Sequence, residues 1–327
     1  MRAVVMRAFG PPQVLEVTEV PDPQPGSGEV VIDVEIAGVT FVETQVRAGR
    51  APNPRMLPHL PAILGNGVGG TIALTGPGVR GDLRGRRVIA SLSGTGGYAE
   101  RAIAAAQRLI EVPGEVALRD AVALLADGRT AVGLARRARL RAGETVVVEA
   151  AAGGVGSLLV QLARNAGARV VALASSERKL AVARDLGADL AVSYSAAGWA
   201  SRVRDMTGGV DVVFDGVGGE IGLAAFGLLG PLRPGGRFVP FGMASGAFAP
   251  VAPSLAQERQ VSVLASIPPA PDEITVLARA ALAEAAAGRL RPVIGQVLDL
   301  AEAAGAHAAI EARETIGKTL LTVNPAG

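Results

Sequence analysis

Residues 144–167 read ETVVVEAAAGGVGSLLVQLARNAG. The valines predict a strand over Glu144 to Ala150. After a glycine turn, Val155, Leu158, Leu159, Leu162, Ala163 and Ala166 fall on one helical stripe, and Gly167 closes it. In G-x-G-x-x-G terms the key positions are Ala151, Gly153 and Gly156, with alanine at the first. The middle glycine lets backbone approach a pyrophosphate, and the last lets the helix lie close on the strand. The helix N-terminus adds partial positive charge. An ordinary tight strand-to-helix turn could have the same spacing, so the flanking sequence must discriminate.

Downstream, the same rhythm repeats. Strands are predicted at Arg169–Ala174, Leu190–Tyr194, Val210–Phe214, Gly236–Phe241 and Val261–Ala265. Helices are predicted at Glu177–Leu186, around Trp199–Met206 and between Ile221 and Leu229. Strands and helices alternating at these lengths predict an α/β fold, a doubly wound parallel sheet of the Rossmann dinucleotide-binding kind. Upstream of about residue 122 the pattern differs. Short apolar segments such as Ala3–Met6 and Glu29–Val34 are separated by clusters such as Pro21-Asp22-Pro23-Gln24-Pro25-Gly26, which suits a barrel-like β unit. After Pro268-Pro269 come a helix, Asp272–Ala287, and a strand-like end, Lys318–Val323. One helix and one strand cannot bury a core alone, so this tail is expected to return to the first domain. The expected division is a β-rich domain over 1–122 and 266–327 and a nucleotide domain over 123–265.

A chain of 327 residues suits two such domains. Its 49% hydrophobic and 19% charged residues exclude a disordered polymer. Thirty-two Lys and Arg against 30 Asp and Glu give a net charge of +2, which calls for no polyanionic partner. The basic cluster Arg136, Arg137, Arg139 and Arg141 fits a helix C-terminus, so no nucleic acid is expected. There is no cysteine and there are two histidines, His59 and His307, so no tetrahedral metal set is expected. The start, MRAVVMRAFG, meets Gly10-Pro11-Pro12 before a signal-peptide core could develop, and no run approaches the ~20 apolar residues of a membrane span. The expected location is the cytoplasm.

Which dinucleotide would bind depends on the end of the second strand. Enzymes that use NAD usually place an acid there for the ribose hydroxyls. Here the sequence is Leu173-Ala174-Ser175-Ser176, and Glu177 reads as a first-turn helix residue favoured by the helix dipole. Lys179, one of only two lysines in the chain, follows within reach of a 2'-phosphate. The expectation is NADPH over NADH.

With Ala151-Ala152-Gly153-Gly154-Val155-Gly156, Gly187-Ala188-Asp189, Gly209-Val210-Asp211-Val212-Val213, Phe241-Gly242 and Gly317-Lys318 in place, the chain resembles the medium-chain dehydrogenase/reductase superfamily. Pro25-Gly26-Ser27-Gly28-Glu29-Val30 and Gly96-Gly97-Tyr98-Ala99-Glu100 belong to the same pattern. Over nearly its whole length it is most similar to the zinc-free quinone oxidoreductases. The resemblance implies a GroES-like β-rich catalytic domain and a homodimer. It assigns Gly153, Gly154 and Val155 to the pyrophosphate, and Ser175, Lys179, Tyr194 and Arg313 to the 2'-phosphate. Thr130, Val217, Phe241 and Gly242 fall to the nicotinamide side. In the family the loop that here reads Val39-Thr40-Phe41-Val42-Glu43-Thr44-Gln45 often carries an amide, an aspartate and an aromatic. Thr40, Glu43 and Gln45 take those places, and Asn66 replaces an acid.

The implied chemistry is metal-free hydride transfer from NADPH to a quinone, whose reduced oxyanion water can protonate. Thr40, Gln45 and Thr130 offer hydrogen bonds to such a substrate. Glu43 either relays a proton or pairs with a nearby arginine. The same cofactor site would serve an enone or enoyl-thioester reductase, and a protein that holds NADPH without turnover is the alternative of another class.

Overall fold

The computed structural model describes residues 1–230, 233, 235–264 and 270–323, with backbone alone at 271 and 272. The chain divides into two units. One comprises Met1–Ala126, Ala278–Ala286 and Pro292–Gly327, and the other comprises Asp127–Leu277 and Ala287–Arg291.

Proline and glycine punctuation cuts the start of the chain into short strands. These are β1 (Arg2–Met6), β2 (Leu15–Glu19) and β3 (Glu29–Val39), then helix α1 (Phe41–Arg47), β4 (Ala62–Ile63), β5 (Gly67–Thr75), β6 (Arg87–Ser91), β7 (Arg101–Ala105) and β8 (Leu109–Glu111). Helix α2 (Leu118–Ala138) follows. The nucleotide-type segment runs β9 (Thr145–Val148), α3 (Gly154–Asn165), β10 (Arg169–Ala174), α4 (Glu177–Asp185), β11 (Leu190–Ser193), α5 (Trp199–Thr207) and β12 (Val212–Asp215). It continues through α6 (Gly219–Phe226), β13 (Arg237–Pro240), α7 (Pro253–Glu258) and β14 (Ser262–Val263). The remainder is α8 (Pro271–Ala286), β15 (Ile294–Asp299), α9 (Ala303–Glu311) and β16 (Lys318–Thr322).

In the first unit a seven-stranded sheet has the order β15-β16-β3-β5-β6-β8, with β7 also on β3. A three-stranded sheet, β2-β1-β4, accompanies it. The expected return of the tail takes a definite form, because β16 pairs antiparallel with β3 and buries Leu320 and Leu321. Val30, Ile32 and Val34 of β3 meet Leu64, Val68, Ile72 and Leu321 in one core.

The second unit holds a six-stranded sheet, β11-β10-β9-β12-β13-β14, in which every pairing is parallel. Strand β9 is Thr-Val-Val-Val and buried throughout, as a central parallel strand covered on both faces requires. Gly167 and Gly187, at φ 79° and 98°, let the chain leave α3 and α4 in the left-handed conformation. The strand expected at Val261–Ala265 is confined to Ser262–Val263. Ala265, Pro268 and Pro269 lie outside the described residues.

The unit bounds differ from the division at 122 and 266, because α2 and α8 are unbroken helices that span the changeovers. Residues 289–291 are fastened to α3 as well. Gln161 Nε2 donates to the Arg291 carbonyl (2.9 Å), Arg291 N–H donates to Gln161 Oε1 (3.0 Å), and Asn165 Nδ2 donates to the Arg289 carbonyl (2.8 Å). Among the described residues no helix is long and apolar enough to cross a membrane.

Candidate functional site

The glycine turn sits at the carboxyl end of β9. Ala150 adopts φ 47°, and Gly153 N–H donates back to its carbonyl at 2.8 Å. Helix α3 then passes so close that a Cβ on Gly156 would lie 2.2 Å from the Ala150 carbonyl oxygen. Only glycine fits there, which is the close helix-to-strand approach expected of the last glycine. At Gly154 a Cβ would lie 2.0 Å from Asp127 Oδ2 of α2, a neighbour that no sequence spacing revealed. Gly153 is the N-cap of α3, and Gly154 and Val155 open its first turn.

At the end of β10 the side chain of Ser175 is half-buried, and Lys179 Nζ donates to its Oγ at 3.5 Å. Ser195 Oγ donates to the Ser175 carbonyl at 3.1 Å, and Tyr194 N–H donates to the Ala174 carbonyl at 3.2 Å. Ser175, Lys179 and Tyr194 therefore gather at one strand end, with Ser195 as an addition missed in the sequence. Glu177 opens α4 as expected, and its carboxylate pairs with Arg184 two turns on. Arg313 is in the other unit, exposed after α9 with φ 58°.

Val217, Phe241 and Gly242 also converge. Phe241 N–H and Gly242 N–H both donate to the Asp215 carbonyl, at 2.8 and 3.2 Å, and Ser245 N–H donates to the Val217 carbonyl at 2.8 Å. The Phe241 ring covers Gly216, where a Cβ would come within 2.7 Å of Cζ. Thr130 stands half-buried on α2, about one turn beyond Asp127.

In the first unit, the stretch expected as a loop around Thr40 is helix α1. Thr40 is its N-cap and forms a capping box with Glu43. The Thr40-x-x-Glu43 spacing carries that signal, and the run of β-type sequence around it concealed it. Glu43 is buried and surrounded by donors. Its Oε2 accepts from Thr40 N–H (2.6 Å), Thr40 Oγ1 (3.0 Å) and the Tyr98 hydroxyl (3.2 Å), and its Oε1 accepts from Asn66 N–H (2.7 Å). Burial raises the Glu43 pKa, opposed first by the Thr40 N–H and then by the charge of Lys318. The expected alternative of an arginine partner for Glu43 does not hold. Arg47, one turn away, is committed to Glu311 at 2.5 Å.

The Tyr98 hydroxyl also meets His307 Nε2 at 3.1 Å. Burial, with Arg47 second, lowers the His307 pKa to about 3, so the ring is neutral. Tyr98 is pushed well above its usual range by burial and by Glu43. Neither the Tyr98 partner of Glu43 nor the His307 partner of Tyr98 was visible, since 55 and 209 residues separate the bonded pairs. Asn66 is a clamp, its Oδ1 accepting from Gly94 N–H at 3.0 Å. Gln45 is half-buried and donates to Thr44 Oγ1 at 3.1 Å. Among the described residues no three metal-binding side chains of the His, Cys, Asp or Glu type come together.

Comparison with known proteins matches residues 26–114 to the alcohol dehydrogenase GroES-like domain and residues 154–282 to the zinc-binding dehydrogenase family. The chain is 33% identical to a quinone oxidoreductase of Pseudomonas aeruginosa, over 98% of this chain and 99% of that one. It is 32% identical to a 2-haloacrylate reductase of a Burkholderia species, over 98% of each. A mycobacterial protein solved in complex with NADPH superposes with a TM-score of 0.88 at 34% identity, covering 98% of this chain and all of that one.

Proposed function

The chain belongs to the zinc-free quinone oxidoreductase branch of the medium-chain dehydrogenase/reductase superfamily, and on that premise we propose that it reduces a quinone with hydride from NADPH. The zinc of the matched family description finds no donor set among the described residues. The chain has no cysteine, His307 is engaged with Tyr98, and His59 is exposed.

The observation that carries the cofactor assignment is the end of β10, where a hydroxyl and an ammonium stand and the nearest carboxylate is tied to Arg184. A ribose 2'-phosphate would take charge-assisted bonds from Lys179 and Ser175, beside Tyr194, whereas Arg313 belongs to the other unit and is assigned to this phosphate by the family resemblance alone. Gly153, Gly154 and Val155 would present the α3 N-terminus to the pyrophosphate. Bound NADPH supplies the hydride at its nicotinamide carbon. The family resemblance assigns the nicotinamide side to Val217, Phe241 and Gly242, which share one hydrogen-bonded turn, and to Thr130 of α2.

For the acceptor, the family resemblance assigns Thr40, Gln45 and Thr130, none of them a strong acid, and the Thr40 hydroxyl already donates to Glu43. Both Glu43 oxygens already accept bonds, so Glu43 acts as a positioning residue that holds Thr40 and the Asn66 backbone. A reduced quinone suits such a site, because its oxyanion is delocalised and water can protonate it. By family kinship the working form is a cytoplasmic homodimer.

The similarity to a 2-haloacrylate reductase favours a second reading, reduction of an electron-poor carbon–carbon double bond such as an enone or enoyl thioester. Loss of NADPH and NADH absorbance, followed with a small quinone, a polycyclic quinone and an α,β-unsaturated ketone, separates the two. NADPH-selective turnover with quinones is the expected result. Turnover with the enone alone moves the function to double-bond reduction, and tight NADPH binding without oxidation by any acceptor makes this a binding protein.

A further inference from the structure

Two acids end the central strands of the parallel sheet side by side. The β9–β12 register pairs Val146 with Val212, Val147 with Val213 and Val148 with Phe214, so Glu149 and Asp215 come next. Glu149 N–H donates to the Phe214 carbonyl at 3.0 Å. Both side chains are fully buried. Val217 N–H reaches Glu149 Oε2 at 3.2 Å and Asp215 Oδ1 at 3.1 Å, and Gly218 N–H reaches Asp215 Oδ1 at 2.6 Å. The other oxygens, Glu149 Oε1 and Asp215 Oδ2, have no partner among the donors of the described residues. A Cβ on Gly222 would lie 2.6 Å from Asp215 Oδ2, so α6 closes over the pair without leaving space for one.

Two buried carboxylates in contact cannot both carry charge. We propose that Glu149 and Asp215 share one proton, and that this pair positions the Val217–Gly218 turn from which the cofactor wall hangs. The Asp215 carbonyl takes the Phe241 and Gly242 N–H groups, and Val217 takes that of Ser245, so a disturbance of the pair is passed directly to Val217, Phe241 and Gly242. Burial, then the hydrogen bond and charge of Asp215, hold the Glu149 carboxyl well above the usual carboxylate range, in keeping with a retained proton.

Among the described residues the surroundings supply no compensating cation. Asp215 is the one ionisable side chain of these that acts on Glu149. The 241–247 loop carries no ionisable side chain, and the acid of α6, Glu220, is exposed. On α2, Asp127 lies against Gly154, and Arg129 is influenced by Asp127. The folded chain therefore keeps a proton that an ordinary glutamate gives up near pH 4.5. Stability must fall as pH rises from there, until the shared proton is lost.

The part of this proposal that concerns cofactor binding rests on the NADPH assignment above, whereas the stability part stands without it. The test is thermal unfolding and NADPH affinity from pH 6 to pH 9 for the wild type and Glu149→Gln, whose amide can donate to Asp215 while its oxygen accepts from Val217. In the wild type stability should decline with rising pH as long as the folded pair keeps its proton, and NADPH affinity should decline, by up to about tenfold per pH unit, where the folded pair loses it. Glu149→Gln should flatten both. Infrared difference spectra at neutral pH should show a protonated carboxyl band in the wild type that the variant lacks.

Parallel pH slopes in the two proteins, or no such band, would overturn the proposal. If Glu149→Gln does not fold, Asp215→Asn takes its place in the same measurements, since its amide removes the repulsion from the other side. Absence of NADPH binding in the wild type would defeat the cofactor assignment and leave the stability comparison still deciding the pair. A flattened stability slope with unchanged NADPH slopes would show a shared proton that does not position the wall, and would overturn that half.

Discussion

Lys179 stands out in the sequence because lysine is so scarce: of 32 basic residues only two are lysine, and one falls just past the end of the second strand of the nucleotide fold. Its ammonium donates to Ser175 Oγ at 3.5 Å. A charge-assisted bond contributes about 1.5–3 kcal/mol, less when exposed to solvent and salt. Lys179→Ala should accordingly lower kcat/KM for NADPH by roughly ten- to a hundredfold and barely change that for NADH; steady-state kinetics with both cofactors checks it, and equal losses would remove the 2'-phosphate role. Glu43 shows the opposite limit. The sequence offered it a proton relay or an arginine, and burial instead surrounded it with donors from Thr40, Asn66 and Tyr98, a set that only the folded backbone assembles. His307, beyond Tyr98, makes the cost of that burial measurable. Its pKa falls from 6.5 to about 3, so the unfolded chain binds the extra proton between those values. Stability is full above pH 6.5 and declines as pH falls toward 3, by at most about 1.4 kcal/mol per pH unit from this residue. Denaturant unfolding of His307→Gln should show a shallower acid limb than the wild type.

The elements most accurately foreseen are those with one dominant signal. Strand β10 and the start of α4 stand where the valines of 169–174 and Glu177 put them, because apolar periodicity and a terminating glycine agree. Helix α1 escaped notice because Val39, Thr40, Phe41 and Val42 favour a strand, while its helical state depends on the capping box. Thr40→Ala should thus destabilise the protein by about 1 kcal/mol, measured by urea unfolding, through loss of the cap. At the β9–α3 junction the two glycines should behave differently. Gly156→Ala drives a methyl into the Ala150 carbonyl, which is backbone and cannot step aside, so a loss of about 2–3 kcal/mol is expected together with weaker NADPH binding. Gly154→Ala meets the end of the Asp127 side chain, which can swing away, so its stability loss should be the smaller of the two in the same unfolding experiment.

For the whole molecule, the change of texture near residue 122 announced two kinds of architecture, and the parallel sheet followed from strand–helix alternation. The unit bounds were less legible, because α2 and α8 pass through the changeovers without a break that composition could register. Saturation with NADPH should raise the unfolding temperature, by the equivalent of about 2.7 kcal/mol at a hundred times Kd, and the same concentration of NADH should raise it less; a thermal scan with each cofactor decides. Strand β16, Lys318–Thr322, inserts beside β3, Glu29–Val39, and so fills a central place in the sheet of the first unit. During synthesis on a ribosome, residues 127–277 emerge with nearly everything their own sheet requires, whereas β3 must wait for a strand that lies beyond the nucleotide segment. Strand β3 therefore finds its β16 partner only after the whole nucleotide unit has been made, and a stall between residues 291 and 318 would release a completed nucleotide unit attached to an open-edged sheet.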